Sequence, residues 1–169
     1  MKWRIFSIVF CLFSCTYCFA QTGFEKQLNL IINDSSNRFK GFKGEFKGFF
    51  ENDSVFISAL NLEGTDSNTV MISNDESVYI LDCYLADIAR ITSDKYGRKL
   101  ADEWRDKLDN ILSNNFEMSK LESRIYKDQY GWQFERGFFS ISVVYIPKRK
   151  GLDGLILLSI SFAHLRDFN

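Results

Sequence analysis

Cys83 and His164 are the residues to weigh first for chemistry, because together they would form a thiol–imidazole pair. Nucleophilic cysteine catalysis needs a base within hydrogen-bond reach and a thiolate, usually stabilised at a helix N-terminus. Cys83 lies instead in Tyr79-Ile80-Leu81-Asp82-Cys83, an apolar strand-like run, where a free cysteine behaves as a small buried hydrophobe. His164 follows the last strand-like segment, an ordinary surface position. Both residues are read as structural. One histidine and one cysteine beyond residue 20 are also too few for a tetrahedral zinc site.

The carboxylates are the second possibility. Asp66, Asp75 and Glu76 fall in turn-like segments without the spacing of a calcium loop. Glu45, Asp82, Asp87 and Glu135 lie in or beside strands, where a pair could face a cleft and share acid/base work. With 22 acidic residues in the chain some such pairs arise by chance. The sequence has no Gly-x-Ser-x-Gly elbow, phosphate-binding Walker loop or Gly-x-Gly-x-x-Gly fingerprint. Catalysis has no positive support, and neither a cofactor nor a metal is expected.

The most unusual local feature is a run of Phe-Lys-Gly triplets at 39–41, 42–44 and 46–48. Lys40, Phe42, Lys43, Phe46, Lys47 and Phe49 are the candidate binding residues. Interleaved lysines and aromatics could grip an anionic polymer by charge and stacking. The plainer account is a helix exit followed by a strand whose phenylalanines face the core while the lysines reach outward. Glu45 and the imperfect alternation favour that account. If a partner surface exists, this segment is its place, as an edge strand guarded by lysines. Lys148-Arg149-Lys150 forms a second basic cluster, read as loop charge that aids solubility.

The chain has 169 residues, enough for one ordinary domain. Its 46% hydrophobic and 25% charged content is that of a globular protein. A formal net charge of −1 lacks the basic footprint of a nucleic-acid binder. Residues 1–20 read as an export signal, with Lys2 and Arg4 ahead of the apolar run Ile5 to Phe13 and Cys18 and Ala20 at the cleavage positions. Processing as a lipoprotein at Cys15 is the minor alternative, since Leu12-Phe13-Ser14-Cys15 resembles a lipobox. Cleavage after Ala20 removes Cys11, Cys15 and Cys18, leaves 149 of the 169 residues, and takes the charge to −3 through loss of Lys2 and Arg4. Residues 21–169 then form one domain without a linker, a second apolar span or an internal disulfide. The expected location is periplasmic or extracellular.

These residues must be positioned by a mixed set of elements. Phe24, Leu28, Ile31 and Ile32 have helical spacing and predict a helix over 23–38. Strands are expected from the Phe-Lys-Gly segment and at 55–62, 69–72 and 78–85, with 64–68 as a turn. Tyr96, Leu100, Trp104, Leu108, Ile111 and Leu112 predict a second helix over 94–113, capped by Ser93. Residues 85–91 fit either the strand before this helix or the helix itself. Further strands are expected at 130–135, 138–146 and 155–163. The fold class is α+β, with a largely antiparallel sheet and two helices on one face in the order α-βββ-α-βββ, the first block having three or four strands.

The run Phe24 to Phe39 ahead of Gly44-Glu45, the Tyr79 to Cys83 strand, the Trp104 helix and the closing strands resemble, in element order, small exported bacterial proteins of unknown function. Their topology is similar to that of type III secretion chaperones. The resemblance implies that binding is as natural for this fold as catalysis. The expected function is non-catalytic binding of another protein or a cell-envelope component, as an accessory factor, inhibitor or chaperone-like protein. The competing expectation is a small periplasmic hydrolase using carboxylates.

Overall fold

The computed structural model describes residues 23–85, 91, 93–121, 128–149 and 154–163. The leader reading for 1–20, the assignment of most of 85–91, Asp87, Lys150 and His164 lie outside the described residues.

Helix α1 spans Gly23–Asp34 and buries Phe24, Leu28 and Ile31, one side of the helix at spacings of four and three. It stops earlier than the apolar spacing predicts. Ser35–Asn37 form a 3-10 turn, Arg38 and Phe39 both have positive φ (62° and 51°), and Lys40–Phe42 form a second turn. Two adjacent non-glycine residues in this region are strained. Tertiary contacts hold them: Phe39 is fully buried, and Arg38 lies over the Tyr79 ring, donates to the Tyr79 hydroxyl at 3.3 Å and pairs with Glu76 at 3.7 Å. The Phe-Lys-Gly run is therefore divided between a pair of tight turns and a strand.

Strands β1 (Lys43–Phe50), β2 (Asp53–Ser58), β3 (Thr65–Ile72) and β4 (Val78–Leu85) follow as an antiparallel meander. Helix α2 spans Asp94–Leu112, and the Ser93 side chain accepts from the Tyr96 N–H at its start. Strands β5 (Glu117–Lys120), β6 (Tyr130–Arg136), β7 (Phe139–Ile146) and β8 (Leu155–Ala163) form a second meander. Strand β4 pairs antiparallel with β8, giving one eight-stranded sheet in the order β1-β2-β3-β4-β8-β7-β6-β5. The α+β class with an antiparallel sheet holds, but the strand count does not. The chain runs α-ββββ-α-ββββ: all four strand segments of the first half form, and β5 is added in the second.

Register explains where the core lies. In β4, Tyr79, Leu81, Cys83 and Leu85 point to one face, opposite Phe162, Ile160 and Leu158 of β8, which in turn stand beside Phe139, Ile141 and Val143 of β7. This face is covered by α2, which rests on β6, β7 and β8, and by α1, whose Phe24 ring meets Trp104 of α2 edge-on at 5.3 Å. Gly97 of α2 sits against the Tyr145 ring, and the Tyr145 hydroxyl donates to Asp94 at 2.8 Å. Burial first, and that hydrogen bond second, push the Tyr145 phenol up to about 12, so it remains a donor at ordinary pH. The opposite face of the sheet carries no described helix.

Candidate functional site

The face without a described helix holds a concavity. Val55, Met71, Asp82, Tyr84, Leu157, Leu155 and Ile146 line a groove of about 520 Å³, closed on one side by Lys47, Gly48, Phe49 and Phe50 of β1. A neighbouring hollow of about 320 Å³ shares Lys47, Thr69 and Tyr84 with it. Strands β1 and β7 both contribute, although five strand spacings separate them in sheet order. In a flat sheet those spacings would total about 24 Å. The sheet must curl toward this face for one groove to be lined from both.

Local sequence produces the curl and the lining. The β1–β2 register shifts between Lys43 and Phe46 and again between Phe46 and Gly48, and Gly48 has φ 143°. Such bulges bend the strand and raise its twist. On the other wall, Leu155-Ile156-Leu157-Leu158 is apolar at every position, so β8 presents Ile156 and Leu158 to the core and Leu155 and Leu157 to the groove. The groove face is polar farther along the same strands, where Ser142 faces Ser159 and Ser140 faces Ser161. Asp82, paired in register with Ser159, stands at the boundary between the two zones.

Asp82 is the exceptional side chain of this site. Its Oδ1 is shielded from solvent and has no hydrogen-bond partner among the described residues. Burial raises the pKa of the carboxyl, and the hydrogen bond with Ser159 acts against that rise. Neighbouring Tyr84 is also raised, by burial first and by Asp82 second. Cys83 points the other way into the core, where burial and then the charge of Asp82 push its thiol well above the ordinary value. A thiol held protonated in this way is a packing group.

The structure separates the six residues of the Phe-Lys-Gly run. Lys40 is exposed in the second 3-10 turn, and Phe42 packs partly against the core. Lys43 caps the Phe56 ring at 3.9 Å. Phe46 touches both Phe49 and Phe56 edge-on, at 5.1 and 5.4 Å. Only Lys47 and Phe49 reach the groove. Strand β1 does lie at an edge of the sheet. Phe50 and Ile57, which the sequence pattern did not single out, are exposed on the groove face of the same two strands.

The remaining sequence candidates do not assemble into a site. Glu45 and Glu135 are exposed on β1 and β6, at opposite ends of the sheet, and Asp82 is the one acidic residue lining the groove. Asp75 is engaged by Ser73 and Ser77 within the β3–β4 turn. Arg149 pairs with Asp128 at 2.9 Å. Among the described residues no group of three or more His, Cys, Asp or Glu side chains could hold a metal.

No family model, curated protein or solved structure matches the chain.

Sequence reasoning also missed a polar clamp on the helix-covered face. Asp102 of α2 accepts from the Tyr130 hydroxyl and the Trp132 Nε1–H, both at 2.8 Å, while Arg105 lies over the Trp132 ring at 4.5 Å. These bonds tie the helix to β6. Substitution Asp102→Ala leaves two half-buried donors unpaired and should cost about 1–2 kcal/mol in urea unfolding, whereas Asp102→Asn, which keeps an acceptor, should lose less. Equal stability of the alanine variant and wild type would show that the clamp contributes nothing.

Proposed function

We propose that the protein is exported and works by non-catalytic binding, receiving another protein or a cell-envelope component on the curled face of its sheet. One observation carries this reading: an apolar groove of about 520 Å³ lies on the face without a described helix, bordered by exposed apolar side chains. Of the large hydrophobics exposed among the described residues, Phe46, Phe49, Phe50 and Ile57 all belong to β1 and β2, and Phe49 and Phe50 are 72% and 62% exposed. By register Phe50 and Ile57 stand on the groove face, while Phe46 and Phe49 stand beside Phe56 on the other face of the same edge, so this edge of the sheet is apolar on both sides. Exposed hydrophobics gathered at one edge beside a groove are the pattern of an interaction surface. A hydrolase using paired carboxylates finds less support, because the groove has one acid and no described second acid beside it. Export rests on the leader pattern of residues 1–20.

Site-specific photocrosslinking tests the proposal. A photoreactive phenylalanine analogue placed at Phe50 should give discrete adducts in intact cells. The same analogue at Phe138, which is 57% exposed in the β6–β7 turn, should give none. Absence of adducts at Phe50, or identical adducts at both positions, would defeat the reading.

A further inference from the structure

We infer that β1 is a self-pairing edge, across which two copies of the chain join antiparallel about a two-fold axis at Phe46. The inference goes beyond the binding function proposed above, because its partner is a second copy of this chain.

The two edges of the described sheet differ. Strand β5 has four residues, all exposed, with Glu117 at one end and Lys120 at the other. A short, charged edge of this kind resists pairing. Strand β1 has eight residues and is apolar on both sides, with Phe46 and Phe49 exposed on one face and Phe50, beside Ile57 of β2, exposed on the other. An edge strand keeps part of its backbone N–H and C=O groups turned outward, and a long apolar edge is a template for another strand.

The spacing of charges along β1 selects the partner. In an antiparallel pair centred on Phe46, residues equally distant from Phe46 stand opposite each other. Glu45 then faces Lys47 of the second copy, twice by symmetry, Gly44 faces Gly48, and Lys43 faces Phe49. Both Glu45 and Lys47 are exposed and make no ion pair with the described residues. They flank Phe46, so by strand alternation they share the face opposite to it. Opposite charges directly across such a pair stabilise it, and like charges destabilise it. A pair centred on Glu45 or on Lys47 would set a like charge against itself.

The irregularities of β1 agree with the same centre. Its register against β2 shifts once between Lys43 and Phe46 and once between Phe46 and Gly48. About an axis at Phe46, the irregular stretch on one side of each copy lies opposite the irregular stretch on the other side of its mate. A regular extended peptide would meet these bulges without a match, which is how bulges protect an edge. A second copy carries them in the complementary places. The two-fold axis of such a pair stands perpendicular to the sheet, so both grooves open on one face of the dimer.

Sedimentation equilibrium over a wide concentration range tests the pairing. The wild-type protein should approach twice the mass of one chain. Glu45→Lys and Lys47→Glu, both at exposed positions, should each raise the dissociation constant about tenfold or more, because two opposite pairs become two like pairs. The two variants mixed in equal amounts should associate with each other at close to wild-type strength, since their charges are then opposite across the pair. Glu117→Lys, at the other edge, should leave the mass unchanged. A wild-type protein that stays single at every concentration would overturn the inference. So would variants that pair as well as wild type, a mixture that fails to associate, or equal weakening by Glu117→Lys. If Phe50 crosslinks to a different protein while the chain stays single, self-pairing falls and the binding function stands. If the chain pairs and the Phe50 adducts hold a second copy alone, self-pairing stands and the separate partner falls.

Discussion

Gly97→Ala is expected to lower stability by about 1–2 kcal/mol, although alanine is the better helix former. A Cβ at this position would overlap the Cδ2, Cε2 and Cζ atoms of the Tyr145 ring. That ring is 1% exposed and anchored by its hydroxyl to Asp94 in the first turn of the same helix. It has no free space to enter, so α2 must rise from the sheet or the Tyr145–Asp94 bond must break. Overpacking of this kind costs about 1–3 kcal/mol and occasionally more, while the gain in helix propensity returns about 1 kcal/mol. The net loss should appear as a fall in Tm of about 3–6 °C. Tyr145→Leu removes the ring atoms that meet the new methyl group, so the double variant should lose less than the two single losses combined. Additive losses, or a Gly97→Ala protein as stable as wild type, would show that the contact is not limiting.

The same helix shows what was legible in the sequence. Its start at Asp94 and its end near Leu112 were readable because the determinants are local: Ser93 accepts from Tyr96 N–H at 3.3 Å, and Leu100, Leu108 and Leu112 recur on one side. The buried stripe itself was displaced from the expected one. Tyr96 is 36% exposed, and Gly97 occupies the core-facing position, since only a residue without a side chain fits beneath Tyr145. Strand β5 had no local signal at all. Every residue from Glu117 to Lys120 is exposed, and the strand exists through its pairing with β6, with Met118 opposite Phe134. The early end of α1 was hidden for a similar reason, because the left-handed Arg38 and Phe39 are stabilised by Tyr79, Glu76 and the core.

The candidate site was legible in fragments. Lys47 and Phe49 were visible as part of an unusual run, and Asp82 as one strand carboxylate among several. What joins them is the register of β1 through β4 with β8 and β7, which no single segment encodes. One usable signal was present. An antiparallel sheet with one face in solvent alternates apolar and polar residues, but Leu155-Ile156-Leu157-Leu158 and Val143-Val144-Tyr145-Ile146 do not. Val144 is 9% exposed on the face without a described helix. Unbroken apolar runs in adjacent antiparallel strands therefore marked two occupied faces: one for the core, the other for the groove.

Asp82→Asn should stabilise the fold near neutral pH and lose that advantage in acid. Burial raises the Asp82 carboxyl above its ordinary value of 3.8 in the folded protein. From that ordinary value up to the raised one, the folded chain therefore holds a proton that the unfolded chain has released. The unfolded state binds fewer protons across this window, so stability falls as pH rises through it. Below the ordinary value both states are protonated and the penalty is absent. Above the raised value the folded protein carries a buried carboxylate with one unpartnered oxygen, a deficit of about 1–3 kcal/mol. The groups facing Asp82 do not mask the effect: Thr69 and Ser159 do not titrate in this range, the Tyr84 phenol is itself raised, and Lys47 makes no ion pair with it. Urea unfolding of both proteins at pH 4, 5.5 and 7 isolates the contribution, because their other carboxylates are common to both. The difference in stability should grow in favour of Asp82→Asn as pH rises, and a difference independent of pH would remove the buried charge from the account.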